Sequence, residues 1–505
     1  MTTILTIDQG TTSTKALLVE PETGAIVGRG TAQVGIAYPR PGWVEQDATD
    51  IWSSVESAVA QCLAGDAGPV TAVAISNQRE SVVAWRASTG EPVGPVLGWQ
   101  DSRTSARCTE LAGWADAVRE RTGLPLDPMY SAPKMQWLTA HADSLGIPSR
   151  DLRIGTVDSW LIHRLTGEHV IEAGNASRTL LLDLDRLEWD TELLDVFGVP
   201  AGALPEIRPS AAEFGTVRDM PGTGAVPVVA VLADSHAALF HHGQGRPDVA
   251  KATYGTGSSV MLPTTHRIRG DGRVAATLAW LDGAPQYASE GNILTSGAGL
   301  DWVARVLGCP PDVPGGAYVT ELATSEDGSG GVVFVPAFTG LGAPHWDRDA
   351  VGTFTGLTGG TTRGHLARAA LEAVAHQVSD VFEAVAPSQR SAVTHLVADG
   401  GATASALLMQ TQADLLGRPV AVSAAAEASA LGAADLAART LGLVTSSPAA
   451  PRATYRPRLS ETQRAERRAA WHAAVRRSRG LAVTPSNAQQ ELSTPDPTTM
   501  GADHS

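Results

Sequence analysis

An α/β protein of two large domains facing each other across a cleft is the architecture this sequence predicts. Three observations lead there. The chain has 505 residues, more than a single hydrophobic core organises. Residues 4–19 read as a strand, a turn of glycine and hydroxyl residues, and a returning strand: Ile4 to Ile7, then Asp8-Gln9-Gly10-Thr11-Thr12-Ser13, then Ala16 to Val19. The stretch Lys251-Ala252-Thr253-Tyr254-Gly255-Thr256-Gly257-Ser258-Ser259-Val260-Met261 echoes that hairpin. Such an internal echo points to a duplicated core with a cleft between the halves.

The first hairpin carries its reactive residues at the tip. Gly10 allows close backbone approach, Thr11, Thr12 and Ser13 offer donors to phosphate oxygens, and Asp8 stands where an acid can hold a hydrated divalent cation. Phosphate handling is the chemistry this pattern suggests. After a loop at Tyr38–Trp43, Asp47 or Thr49 can cap a helix from about Asp50 to Leu63. The strand Val70–Ile75 then ends at Ser76-Asn77-Gln78-Arg79-Glu80, and a second polar edge follows at Leu97-Gly98-Trp99-Gln100-Asp101-Ser102-Arg103. Open α/β sheets place ligand contacts just beyond apolar strands, so both clusters read as ligand-facing strand ends. Helices follow after residue 103, carrying Arg107 and Leu111, at Ala132–His141 and after Thr156, and the apolar strand Pro227–Leu232 ends at Asp234, placed like Asp8. In the second half, Leu366–Val385 predicts a long amphipathic helix stopped by Pro387. Leu396–Asp399 predicts a strand whose glycine turn, Gly400-Gly401, precedes a helix over Ser405–Leu416. Residues Glu461–Arg479 predict a solvated terminal helix, basic from Arg467 onward, and the Pro/Ser/Thr/Gln-rich stretch beyond Gly480 predicts a disordered tail.

Composition removes several function classes. The net charge of −15, from 38 Lys+Arg against 53 Asp+Glu, repels nucleic acid and anionic membrane. The three cysteines, Cys62, Cys108 and Cys309, have no metal-binding or redox spacing, which predicts free thiols and a reducing cytoplasm. No apolar run approaches the ~20 residues of a membrane helix, and the first strand begins without a leader pattern. His236, His241 and His242 lack ligand spacing, and Asp234-Ser235-His236 is too contiguous for a triad. A P-loop is excluded because no GxxxxGKS or GxxxxGKT occurs.

Taken together, several stretches resemble the FGGY carbohydrate kinases, the glycerol kinase branch most closely, over about residues 3–455. They are Asp8–Ser13, Pro41-Gly42-Trp43-Val44-Glu45-Gln46-Asp47, Asn77–Glu80, Gly155-Thr156-Val157-Asp158, Asn175-Ala176-Ser177-Arg178-Thr179, Pro336–Pro344 and Gly352–Glu372. The resemblance implies two actin/hexokinase-like (ribonuclease-H-like) domains closing on ATP and Mg2+. Residues 1–242 would carry the phosphate hairpin, acceptor site and catalytic aspartate, residues 243–480 the nucleotide, and residues 481–505 a disordered tail. Partners are then a small polyol or sugar, with neither nucleic acid nor membrane, and a homodimer or homotetramer is the oligomer to look for.

Residue by residue, the resemblance makes Asp234 the base for the acceptor hydroxyl and puts Asp8 beside the metal. Thr11, Thr12, Ser13 and Lys15 fall to the phosphates, Lys15 standing where arginine is usual. Gly255, Thr256, Gly297, Asp301, Gly401, Ala402 and Ser405 fall to the nucleotide, with Ala406 where an adenine-contacting asparagine is common and Asp301 where glutamine is. Arg79 and Glu80 match the pair that grips polyol hydroxyls, and Trp99 the apolar wall. Met129, Ser235 and Ser259 replace the tyrosine, glutamine and phenylalanine of glycerol sites. That triple change implies a roomier pocket suited to a four- or five-carbon polyol or ketose, with a true glycerol kinase as the alternative. Tyr130 would supply a phenol only with a shift of register. An actin-like or chaperone-like ATPase shares the hairpins but has no use for the Arg79-Glu80 and Trp99–Arg103 clusters.

Overall fold

The computed structural model describes residues 2–65, 68–447 and 449–481. Of the predicted tail, residues 482–505 lie outside the described residues. Two sheets organise the chain. The first contains β1 (Thr3–Gln9), β2 (Ser13–Glu20), β3 (Ala25–Gln33), β4 (Val70–Asn77) and β5 (Val228–Ala233), in the order β5-β4-β1-β2-β3. β1 and β2 form the antiparallel hairpin, with Asp8 opposite Lys15, while β4 runs parallel to both β1 and β5. The second sheet contains β6 (Val249–Tyr254), β7 (Ser258–Thr264), β8 (Ala275–Asp282), β9 (Ala284–Ile293), β10 (His395–Asp399), β11 (Val420–Val422) and β12 (Ala453–Tyr455), in the order β8-β9-β7-β6-β10-β11-β12. Here β6 and β7 form the hairpin and β10 runs parallel to β6. The echo seen in the sequence is thus the same local topology used twice.

Near-continuous apolar runs such as β1 require cover on both faces of the sheet. Leu5 and Ile7 pack with Ile51, Val55 and Val59 of α1 (Ala48–Cys62), whose N-cap is Asp47. Ile4, Ala72 and Ala74 pack on the opposite face, where α2 (Asp234–Gly243) lies against a helix from much later in the chain, Ala428–Thr440. A Cβ on Gly432 would run into the Ala237 carbonyl, so the two backbones touch only because that position is glycine. The late helix therefore rests on the first sheet and ties the two halves together.

Three sequence expectations need correction. The strand before the second polar cluster, Val96–Leu97, belongs to a separate four-stranded sheet, so residues 97–103 do not share an edge with residues 76–80. Arg103 is buried there, forked onto Asp101 (2.8 Å) and Glu45 (2.7 Å) and stacked 3.7 Å from the Trp43 ring centre. The helix Arg363–Ala384 is not amphipathic along its length: from Ala369 to Phe382 nearly every residue is buried, because it fills the space behind the second sheet. The terminal helix Glu461–Ser478 is docked rather than solvated. Its Arg468, Trp471, Val475 and Ser478 fall at helical spacing on one buried stripe. Arg468 forks onto Asp380 and Glu383, and the Trp471 indole donates to Asp380 (2.8 Å). The basic residues left outside are its solvent face. Cys62, Cys108 and Cys309 are free thiols, and no helix among the described residues is long and apolar enough to cross a membrane.

Candidate active site

Three parallel strands of the first sheet end at one edge, and each delivers a charged side chain there. β1 supplies Asp8, β4 runs into Arg79 and Glu80, and β5 into Asp234, the first residue of α2. Asp234 is not the helix cap, which is Ala233; its carboxylate accepts from the Ser235 N–H (2.6 Å) and lies 3.7 Å from the Arg79 guanidinium. Burial raises its pKa above the ordinary aspartate value, against the pull of Arg79. Asp8 is pushed up to about 6 by burial and by the negative charge of Asp234 beside it.

Arg79 and Glu80 enter a buried ion network. Arg79 forks onto both oxygens of Glu290 (3.0 and 2.7 Å), and Arg178 reaches Glu80 (2.7 Å) and Glu290 (2.8 Å). Against the burial that opposes it, Arg178 and then Arg79 hold the Glu290 carboxyl well below the usual range. Ser259, on β7, turns its hydroxyl to Glu290 at 3.4 Å. Glu80 has a left-handed backbone (φ 61°), uncommon for a residue with a side chain. It is held by Arg178 and by the Ser131 hydroxyl, which donates to its carbonyl (3.0 Å). The Asn77 amide meets Asn175 (3.0 Å), which is in turn bonded to the buried Glu172, so the loop is fixed from behind.

Met129 is half-buried against an apolar cluster, and Tyr130 is fully buried with its ring 5.3 Å from the Arg178 guanidinium. The phenol thus stands beside the network without any shift of register. Trp99, partly exposed, donates its indole N–H to the Thr11 hydroxyl (3.1 Å), which joins the loop after Val96–Leu97 to the turn of the first hairpin. In that hairpin the Gly10 N–H closes onto the Ser13 carbonyl (2.9 Å), while Gln46 holds the Thr11 carbonyl (2.9 Å) and the Val34 N–H holds that of Thr12 (2.9 Å). Lys15 is paired with Glu427 (2.6 Å), the residue just before the late helix.

The second half brings the predicted nucleotide residues around one cavity of about 780 Å³, lined by Gly255, Thr256, Gly297, Asp301, Gly401, Ala402 and Ser405. The Ser405 hydroxyl is occupied as the cap of the helix Ala406–Leu416 and by Thr320 (3.0 Å). A neighbouring cavity of about 520 Å³ shares Gly401 and runs to Asp234 and Ser235, with Lys251, Thr253 and Asp399 in its wall. Ser235 therefore lines the cavity that holds the glycine turn at Gly400-Gly401. Gly400 has φ +92°, and a Cβ there would sit 2.5 Å from the Tyr254 carbonyl, so only glycine lets that turn reach the cavity. Glu290, Arg178 and Lys251 were given no role from the sequence. An acid inside the otherwise buried strand β9 is the signal that marks Glu290, since such a charge must be paired.

Residues 3–241 match the N-terminal domain of the FGGY family of carbohydrate kinases, and residues 250–441 match its C-terminal domain. The chain belongs to this family. The kinase is 42% identical over 497 residues to the glycerol kinase of Alkalilimnicola ehrlichii, covering 95% of this chain and 99% of that protein. It is 44% identical over 451 residues to the apulose kinase of Pectobacterium atrosepticum, covering 87% and 90%. Its fold matches the crystal structure of Plasmodium falciparum glycerol kinase with ADP at a TM-score of 0.88 and 29% identity, covering 95% and 98%. The protein is an ATP-dependent carbohydrate kinase, a phosphotransferase whose acceptor is the alcohol group of a small sugar or polyol. An ATPase without an acceptor is set aside.

Proposed function

We propose that the kinase transfers the γ-phosphoryl group of ATP to a terminal hydroxyl of a four- or five-carbon polyol or ketose, with Asp234 as general base. The observation that carries this reading is the meeting of Asp234 with Arg79, 3.7 Å apart, at one end of the buried network that includes Glu80, Arg178 and Glu290. An acceptor seated on Arg79 and Glu80 would present a hydroxyl to a carboxylate whose burial keeps its basicity high. Phosphoryl transfer asks the protein mainly to align that hydroxyl and to offset developing charge. Thr11, Thr12 and Ser13 cradle the phosphates in this reading, and the 780 Å³ cavity takes the nucleoside. Lys15 must leave Glu427 before it can meet a phosphate.

Asp8 fits a hydrated Mg2+. It is a hard oxygen donor, and with Asp234 it forms an acidic pair whose mutual repulsion a dication would relieve. Bound there, the ion would offset phosphate charge. The division at residues 242/243, directly after α2, is part of the same proposal.

The size of the acceptor follows from Ser259, a small hydroxyl side chain against Glu290 in place of an aromatic one. Tyr130 favours a second reading, glycerol itself, because its buried phenol takes up space beside the network. ADP release measured against three- to six-carbon polyols and ketoses decides between them. A four- or five-carbon acceptor should give the highest kcat/KM, and a clear preference for glycerol over every longer acceptor overturns the proposal.

A further inference from the structure

Lys251 lies on β6, two residues before Thr253, so both side chains point to the same face of the second sheet and line the cavity that runs from Asp234 to Gly401. It is 2% exposed. Among the described residues no carbonyl or carboxylate holds its ammonium, although a buried cation is costly unless it is paired and an ammonium carries three donors. The neighbouring acids Asp399 and Asp234 feel its positive charge across the cavity, while their hydrogen bonds go to His242 (2.8 Å) and to the Ser235 N–H (2.6 Å). The cavity's other cation, Arg452, donates to the Ser423 carbonyl (2.8 Å). A cation held ready between the proposed base and a glycine turn is suited to an anionic group that arrives only with ligand.

We propose that Lys251 is a catalytic cation for the transferred phosphoryl group, donating to a non-bridging γ-oxygen in the ground state and following it to the acceptor. In the step itself the acceptor hydroxyl gives its proton to Asp234, its oxygen forms a bond to the γ-phosphorus, and the bond from that phosphorus to the bridging oxygen breaks with its electron pair left on ADP. Lys251 neither gains nor loses a proton. Its charge counts most where negative charge is concentrated in a water-poor site.

The inference rests on placing the γ-phosphate between Asp234 and Gly400-Gly401, and its test does not depend on turnover. The affinities of Lys251→Met for ADP and for a non-hydrolysable ATP analogue are measured by calorimetry with Mg2+ and without acceptor. Loss of a charge-assisted hydrogen bond to the γ-phosphate should weaken the analogue by ~10-fold or more while ADP changes by less than about threefold. Steady-state turnover should fall by ~10²–10³-fold, the usual effect of removing a donor to developing charge. Lys251→Arg, which keeps the charge, should recover part of the analogue's advantage, and Lys251→Gln, which removes it, provides the same measurement if the methionine variant does not fold. Asp234→Asn should leave the ratio of the two affinities unchanged, so failure of the base assignment is read separately. Equal loss of ADP and analogue affinity, or no loss of either, overturns the role of Lys251.

Discussion

Replacing Asp234 by asparagine tests the chemistry most directly, because the change is nearly isosteric. The carbonyl oxygen of the introduced amide can still accept from the Ser235 N–H, the 2.6 Å contact that seats the side chain at the start of α2. What disappears is a proton acceptor and one negative charge, 3.7 Å from Arg79. Arg79 keeps both bonds to Glu290, so the network remains paired and the fold should hold. Positioned proton transfer contributes ~10²–10⁴-fold, equivalent to ~3–5 kcal/mol of barrier. The D234N variant should therefore lose that factor in kcat, with ADP affinity within about twofold of wild type. A coupled ADP-release assay gives the rate and calorimetry the affinity. The acid limb of wild-type kcat/KM should lie above the ordinary aspartate range, since burial raises this pKa and only the ionised form accepts the proton. Turnover within about tenfold of wild type would refute the assignment, because a positioned base contributes more than that.

Glu290→Gln removes the charge shared by Arg79 and Arg178 and leaves both guanidiniums buried with too few anions; it should cost ~3–5 kcal/mol in urea unfolding, as broken buried pairs do. The double change Met129→Tyr with Ser259→Phe should move kcat/KM toward glycerol relative to five-carbon acceptors, measured on the same acceptor panel. His472 has its pKa raised to about 9 by hydrogen bonds to Asp380 and Glu383, so its stabilising contribution is complete below its unfolded value of 6.5 and is lost as pH rises through about 9. Urea unfolding across that window should show wild type losing its advantage over His472→Gln as the pH is raised.

The chain by itself determined the scaffold and half of the candidate site. Asp8, Arg79, Glu80 and Asp234 were legible because each closely follows an apolar run, and the end of a strand is a local property of the sequence. The glycine and hydroxyl turns at residues 10–13 and 255–257 were legible for the same reason. Only the tertiary structure decided which of these ends meet. The cluster at residues 97–103 has the same local pattern as residues 76–80, yet its strand pairs in another sheet. Glu290 lies 211 positions from Arg79, and Glu427 lies 412 from Lys15. Nothing local distinguishes these acids from solvated ones. The basic helix at residues 461–478 reads as a solvent face in sequence, and becomes core only because Asp380 and Glu383 wait inside for Arg468. Apolar periodicity encodes strands and helices over a few residues, whereas charge compensation is settled only when distant segments share a low-dielectric interior.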